Sequence, residues 1–534
     1  MSQPWLPPDG VRRTTPCITV SAGMFKKSGF RCPAADALKA RGYRPIAPEA
    51  RRRERLEHFT LGPFMAACDA RNGPGTSPAD PGRSRTAPPH DGLRVWTDHG
   101  LAMYDATFPA DPSRPLTEVA ERWIYRYRPS GPEAGRPEAG RPEAGRPEEF
   151  RFTVWGRCLA SSDGKHRELR LPVHRIGADA PPEGFVAATA LVLAEGAPGP
   201  QPEHVRIVEF ALLDGRTREL FAGSRSEALA RYRAHGPGAL AEILNGQEYR
   251  PGSSCVDCSY LSVCPALRST PGLLGTESAG RPRRTWSVTN GRNYRACPAR
   301  DHMRRLRLPT ADAVEREATA ERGRAVHAYL ADRHGRGVPG PCTARIPERW
   351  VPDGFDLPDH ERALGELLLR RHAAVCPLRC VRDGSDVRTE PRVVRHDSAA
   401  DVVVLAEPDL LYRDADSWVW RETKTSASEH RPNRSLLEHY PQLALAVLLV
   451  ARGDLGGSPD RARVELEVLR PGGADLEIID PFAPAHRDTA EQVVRTMVTA
   501  WHGDDDYAPS PGRSCGRCEV ARWCNQSPAA GVAA

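Results

Sequence analysis

Two short segments fix the gross plan of this chain. CVDCSYLSVC (residues 255–264) and CGRCEVARWC (residues 515–524) share the spacing C-x2-C-x5-C. Three cysteines this close point to a metal site, and a tetrahedral zinc site or an iron–sulfur cubane usually takes four protein ligands. Each triplet has a fourth candidate more than two hundred positions upstream. GFRCPAADALKARGYRP carries Cys32 and NYRACPARDHMRRLRLP carries Cys297. Both read aromatic, basic, Cys-Pro, then a basic helix-like stretch. A metal held in this way clips the start of a domain to its end. The repeat therefore predicts two domains, one closed by Cys32, Cys255, Cys258 and Cys264, the other by Cys297, Cys515, Cys518 and Cys524. The spacing leaves zinc and iron–sulfur both open.

Other segments repeat with the cysteines. RIVEFALLDG and RVELEVLRPG both read as strands ending in a glycine turn, and each precedes a helix-like stretch. In DTAEQVVRTMVTAWHG, Ala490, Val493, Val494, Met497, Val498 and Trp501 share one helical face. The boundaries expected are 1–270, a linker at 271–285 in the turn-rich STPGLLGTESAGRPRR, and 286–534. Within the first half, GPEAGRPEAGRPEAGRPE (residues 131–148) repeats every five residues and cannot build a core, so it reads as a low-complexity insertion. Of the fourteen cysteines, the six outside the quartets (Cys17, Cys68, Cys158, Cys342, Cys376 and Cys380) read as packing residues. The CPLRC pair, Cys376 and Cys380, shows no partners in the sequence.

The longest apolar run, LALAVLLVA, has nine residues, against roughly 20 for a membrane span. The N-terminus MSQPWLPPDGVRR has no apolar signal-peptide core. A cytoplasmic protein whose clustered cysteines are ligands rather than disulfides is the expectation. Net charge is only +6, yet residues 281–307 hold nine arginines against one acid, Asp301. That stretch reads either as a solvated basic linker or as a surface for an anionic partner.

The chemistry is densest in DVVVLAEPDLLYRDADSWVWRETKTSAS. Two strand-like runs flank RDAD, which predicts a hairpin centred near Asp414 with Asp409 across from about Trp420. Glu422 and Lys424 lie two residues apart and share one strand face. Two carboxylates converging with a lysine suit a hard divalent cation and a hydrolytic step. The bland alternative is a surface hairpin with a Glu–Lys pair. Upstream, ERGRAVHAYLADRHG reads as a helix carrying Glu321, Gly323 and His327. Downstream, HYPQLALAVLLVARG reads as a helix carrying Gln442.

This ordered set resembles the RecB-like PD-(D/E)XK nucleases. Pro408-Asp409 followed by Glu422-Thr423-Lys424 matches the signature, and Glu321, Gly323 and His327 match the helix E-x-G-x-x-x-H. Gln442 matches the first residue of Q-x-x-x-Y, while Ala446 stands at the tyrosine position. Glu390, in VRTEPRVV, is similar to an acidic residue on the preceding strand. Cys297 before the motifs and C-x2-C-x5-C after them are similar to the AddB-type and CRISPR-associated iron–sulfur branch. The resemblance covers about residues 286–525. It implies a [4Fe–4S] cluster on Cys297, Cys515, Cys518 and Cys524. It implies Mg2+ or Mn2+ held by His327, Asp409, Glu422 and the Thr423 carbonyl. Lys424 would serve the attacking water, Gln442 and Glu390 would complete the site, and residues 281–307 would meet phosphates. The implied function is DNA phosphodiester hydrolysis, as an exonuclease in repair, recombination or defence.

The first half then reads as a degenerate copy. LGPFMAACDA pairs Gly62 with Gly323 and puts Ala66 at the histidine position. FTVWGRCLASSDGKHRELRLPVHRIG occupies the hairpin region and has no PD and no acid-x-Lys beyond a chance-level match. A second cluster, iron–sulfur or alternatively zinc, would sit on Cys32, Cys255, Cys258 and Cys264. The expected class is α/β, with two tandem restriction-endonuclease-like domains. Each has a central mixed sheet flanked by helices and a metal staple of four cysteines. No GxxxxGK[ST] loop is present, so any unwinding falls to a separate helicase. There is no GxSxG elbow, and His360-Glu361 lacks the second histidine of HExxH because residue 364 is Leu. The competing reading is a non-catalytic iron–sulfur DNA-binding scaffold or partner subunit.

Overall fold

Two helical stretches with no charged residue set the frame. GFVAATALVLA and QLALAVLLVA are apolar all round, which in a globular chain means burial on every face. Both are almost entirely buried in the computed structural model. The structure describes residues 5–526 apart from 27–30, 48–59, 72–89, 110–114, 120, 129–148, 279, 312–316, 337–339, 380, 382–385 and 429–434. The pentad repeat and Cys380 therefore lie outside the described residues. The chain divides into two compact units. The first is Met1–Leu267 with Leu306–Pro309 and Trp523–Asn525, and the second is Arg268–Arg305 with Thr310–Arg522 and Gln526–Ala534.

In the first unit, the strands β1 (Leu116–Glu118), β2 (Arg157–Ser161), β3 (His166–Val173), β4 (His204–Ala211) and β5 (Thr217–Ser224) form one sheet in the order β5-β4-β3-β2-β1. Only β3 and β4 run parallel. Parallel neighbours need a crossover, and the apolar helix α1 (Glu183–Glu195) supplies it. Helix α2 (Arg225–Leu244) follows β5 and starts with a capping box, Ser224 with Glu227. In a smaller sheet, Ile18–Ser21 runs parallel to Phe150–Thr153, which pairs antiparallel with Ile124–Tyr127.

In the second unit, helices α3 (Ala318–Gly335) and α4 (Asp359–His372) precede the main sheet. Its main sheet is β6 (Val387–Thr389), β7 (Leu410–Asp414), β8 (Ser417–Thr425), β9 (Arg463–Arg470) and β10 (Gly473–Ile479), in that order. Again one pair, β8 and β9, is parallel. Helix α5 (Pro441–Ala451) makes the crossover and α6 (Pro484–Gly503) follows the last strand. In a smaller sheet, Arg284–Trp286 runs parallel to Val402–Ala406, which pairs antiparallel with Val393–Asp397. Strand order and strand directions of the two five-stranded sheets thus agree between the units, while the smaller sheet of the second unit has a further strand, Arg268–Ser269, beside Val393–Asp397.

The second core lies between the sheet and α5 and α6. Ala490, Val494, Met497, Val498 and Trp501, the predicted helical face, pack there with Trp286 and Trp420. Each fully buried large side chain contributes about 1.5–3 kcal/mol. Leu273 and Leu274 join the same core, and the backbone N–H groups of Gly272 and Leu274 donate to the Asp397 carboxylate at 2.8 and 2.7 Å. The first residues of the stretch read as a linker, Gly272 to Leu274, are therefore packed rather than free. Among the described residues, no helix is long and apolar enough to cross a membrane.

Candidate active site

The β7–β8 hairpin turns tightly. Asp414 pairs with Ser417, leaving Ala415, in the left-handed region at φ 53°, and Asp416 as the whole turn. The register runs back through Leu411↔Trp420 to Leu410↔Arg421. Asp409, one residue before β7, therefore lies opposite Glu422 rather than Trp420. The expected register was two residues off, because RDAD forms less of the turn than its composition suggested. The shift brings the two carboxylates together directly.

Glu422 is 4% exposed, and Trp420 Nε1 donates to its Oε1 at 3.1 Å. Lys424 Nζ donates to Glu422 Oε2 at 3.1 Å, to the Thr423 carbonyl at 3.0 Å and to Asp409 Oδ2 at 3.4 Å. The Thr423 N–H donates to Asp409 Oδ2 at 2.6 Å, and the other oxygen, Oδ1, takes His327 Nδ1 at 3.0 Å. His327 comes from α3. That helix packs close to the sheet at Gly323, one turn earlier, where a Cβ would sit 3.3 Å from Thr425 Oγ1 on β8. Glu321 is buried and paired with Arg324, so it supports the helix rather than the site.

The charges are interdependent. Burial alone would raise the Asp409 carboxyl, but His327, Lys424 and the Thr423 N–H hold it below its ordinary range. Burial, then the Asp409 charge, pushes Glu422 up. Burial opposes the charge on His327 and on Lys424, yet the facing carboxylates hold both above their ordinary values. Two carboxylate oxygens, a carbonyl and an imidazole thus face a shared space in which the ammonium group balances the charge. That donor set fits a hard divalent cation.

Residues 285–525 match the family model of the PD-(D/E)XK nuclease superfamily. These residues thus carry a PD-(D/E)XK nuclease superfamily domain. No curated protein matches the chain. Among solved structures, one described as "Crystal structure of SSO0001" is similar at 17% identity and a TM-score of 0.18, over 26% of this chain and 61% of that chain. That likeness is too slight to bear on the fold.

The remaining predicted site residues of the PD-(D/E)XK domain lie at its edge. Glu390 is exposed on the rim of a cleft shared with His327 and Asp409, and its N–H donates to the Asp409 carbonyl at 3.2 Å. Gln442 accepts from Arg292, whose guanidinium lies near Glu422 and Tyr440. Ala446, at the tyrosine position, is fully buried in the core. The arginines of residues 281–307 are largely engaged inside the unit. Arg283 pairs with Asp401, Arg284 with Asp505, Arg300 and Arg304 with Glu519, and Arg305 with Asp301. Apart from the Arg305–Asp301 pair, which lies within one helix, they latch distant segments, which leaves little of the stretch as a phosphate-binding surface.

The cysteines obey the same local rules in both units. Cys32 and Cys297 each precede a helix that begins with proline. The N–H groups of Arg250 and Gly252 point at the Cys32 and Cys255 sulfurs at 3.5 and 3.4 Å. Those of Ser510 and Gly512 point at Cys297 and Cys515 at 3.4 and 3.3 Å. Burial, then the neighbouring thiols of Cys255, Cys32 and Cys264, push the Cys258 thiol up to about 12. Burial raises Cys518, with the Glu519 carboxylate and then the Cys297 thiol adding to it. Crowded thiols that resist ionising together are what a bound cation would relieve. Cys264 and Cys524 each follow a 3-10 turn, Leu261–Val263 and Ala521–Trp523.

Three side chains near the site escaped the sequence reading: Arg292, Tyr440 and Glu467. Glu467 is fully buried on β9, accepting from Thr423 Oγ1 at 3.2 Å and meeting His372 Nδ1 at 2.6 Å. The signal was present in RVELEVLR. Alternation puts Glu465 and Glu467 on one face of a strand whose other face is apolar. A central strand is covered on both faces, so its carboxylates need partners. Cys342 and Cys376, read as packing residues, instead face two histidines.

Proposed function

We propose that the chain is a metal-dependent nuclease that hydrolyses DNA phosphodiester bonds with its second unit. The observation that carries this reading is the convergence of His327, Asp409, Glu422 and Lys424 on one point of one hairpin. His327, Asp409, Glu422 and the Thr423 carbonyl would hold Mg2+ or Mn2+, which acidifies water and offsets charge growing on a phosphate. Lys424, already between the two carboxylates, is placed to hold the attacking water and to stabilise the negative transition state. The Thr423 N–H and the His327 ring fix both oxygens of Asp409, so the carboxylate is oriented before substrate arrives. Gln442 and Arg292 border the site on the α5 side and suit a phosphate of the bound strand.

The finer assignment follows the sequence motifs. It is an exonuclease of the RecB-like iron–sulfur branch, acting in repair, recombination or defence, alone or beside a separate helicase. The Cys297, Cys515, Cys518 and Cys524 quartet would bind [4Fe–4S], and the Cys32, Cys255, Cys258 and Cys264 quartet a second cluster or zinc. The first unit reads as a degenerate copy spanning 1–270. The matching strand orders of the two main sheets support this, and so does a comparison of their registers. The buried pair Cys158↔Leu169 corresponds to Leu411↔Trp420. Counting from it, Gly156, Leu171 and Val173 stand at the positions of Asp409, Glu422 and Lys424. None of the three can hold a metal or activate water. A scaffold function for the first unit is consistent with that loss.

The test is cleavage of end-labelled single- and double-stranded DNA by anaerobically purified full-length protein. Magnesium or manganese would be supplied, with Lys424→Ala alongside. Cleavage lost in the variant supports the reading, and the label gives the polarity. Retained DNA binding without cleavage under any metal would favour the non-catalytic scaffold.

A further inference from the structure

Away from both cysteine quartets, four side chains of the second unit converge: His334 at the end of α3, Cys342 beyond it, His372 at the end of α4, and Cys376 four residues later. Their ligand atoms all lie within 4.8 Å of one another. All four residues are buried, from 1% exposed at His372 to 9% at Cys342. We propose that they bind a single structural zinc ion through two thiolates and two imidazoles, at a site distinct from the divalent-cation site on the hairpin.

The distances are those of a tetrahedron around one ion. Zinc–nitrogen and zinc–sulfur bonds of about 2.0 and 2.3 Å set a nitrogen–nitrogen edge of ~3.3 Å and a nitrogen–sulfur edge of ~3.6 Å. His334 Nε2 lies 3.3 Å from His372 Nε2, 3.4 Å from the Cys342 sulfur and 3.9 Å from the Cys376 sulfur. Ligand atoms packed this closely leave room for one ion, not for a multi-iron cluster. Two sulfurs and two nitrogens in this geometry select zinc over the harder cations suited to Asp409 and Glu422.

The surroundings are those of a metal-ligating histidine. His372 Nδ1 donates to the fully buried Glu467 at 2.6 Å, which fixes the tautomer and leaves the Nε2 lone pair facing the other three ligands. The Cys342 N–H points at the Cys376 sulfur at 3.3 Å, favouring the thiolate. Without an ion, two imidazole nitrogens and two sulfurs would be buried against one another with few donors among them. The ion would tie the C-terminal ends of α3 and α4 together. Glu467 would join it to Thr423, and α3 carries His327 two turns upstream. The role is to hold the helix that delivers His327.

The experiment is metal analysis of the full chain purified without chelators, beside Cys376→Ala and His372→Ala. The expected result is a loss of about one zinc per chain in each variant, with iron content unchanged. Unchanged zinc in both soluble variants would overturn the proposal, as would a Cys342–Cys376 disulfide in non-reducing peptide maps of the reductant-free native protein. Should the variants not fold, wild-type crystals measured on both sides of the zinc absorption edge decide the matter. An anomalous peak among the four residues supports the site. Its absence refutes it.

Discussion

His327 and Asp409 are 82 positions apart in the chain and meet at 3.0 Å. Neither the helix nor the hairpin alone makes a site. The contact exists because α3 packs close to β8 at Gly323 and because a two-residue turn sets Asp409 opposite Glu422. Lys424 shares this geometry without holding the fold together, since its side chain is partly exposed and its bonds are local. Lys424→Ala is therefore expected to leave the melting temperature within a few degrees of wild type while lowering the cleavage rate by ~10²-fold or more. Thermal denaturation and single-turnover cleavage measured on the same preparation check both halves.

The residues most legible in the sequence were those whose chemistry requires a fixed spacing on one element. Asp409, Glu422, Thr423 and Lys424 sit on a single hairpin, and the alternation of a strand sufficed to place them. The register was less legible, because a turn's length depends on whether Ala415 accepts a left-handed backbone, which composition does not announce. The fates of Arg283, Arg284, Arg300 and Arg304 were invisible. Their partners Asp401, Asp505 and Glu519 lie more than a hundred positions away and only tertiary packing joins them. The His334, Cys342, His372 and Cys376 group was missed for the same reason. Two of its members are helical histidines and two are lone cysteines, each ordinary until brought together.

Helix α4 is pinned by a close approach. A Cβ on Gly365 would lie 2.5 Å from two ring carbons of Trp350, which is 2% exposed and T-shaped against Tyr329. Gly365→Ala gains about 1 kcal/mol of helix propensity, but it forces a rigid indole to move within a packed cluster. Overpacking of this kind costs about 1–3 kcal/mol. A net fall in melting temperature is the expected outcome, read by calorimetry against Gly503→Ala, an exposed glycine at the end of α6 where a Cβ meets nothing within 4 Å, as a surface control.

The first unit has its own acid sensitivity. Burial, then the positive charge of Arg307, lowers the His174 pKa to about 4. The ring is neutral in the folded state, with Nε2 2.7 Å from Thr60 Oγ1 and its face stacked on Trp96. In the unfolded chain it titrates near its ordinary value of about 6.5. The folded pKa is the lower one, so the unfolded state binds the proton first. Stability is full above pH ~6.5 and falls as the pH drops toward 4, by up to about 3 kcal/mol. Urea midpoints at pH 7 and pH 4.5 should differ more in wild type than in His174→Asn, which cannot take up the proton.

Glu467 links the two proposed metal sites of the second unit. It is fully buried, meets His372 at 2.6 Å and accepts from Thr423 Oγ1 at 3.2 Å. Burial opposes its charge, but His372, Arg421 and Thr423 hold its pKa below the ordinary value. Glu467→Gln keeps the shape and removes the charge that orders the His372 ring. Loss of such a partner weakens metal binding by about 10–100-fold. The expected result is faster zinc release to a chromogenic chelator. Cleavage should fall with zinc occupancy and recover when zinc is restored, because Asp409, Glu422 and Lys424 are untouched. Recovery that fails at full zinc occupancy would mean that Glu467 acts through Thr423 on the hairpin instead.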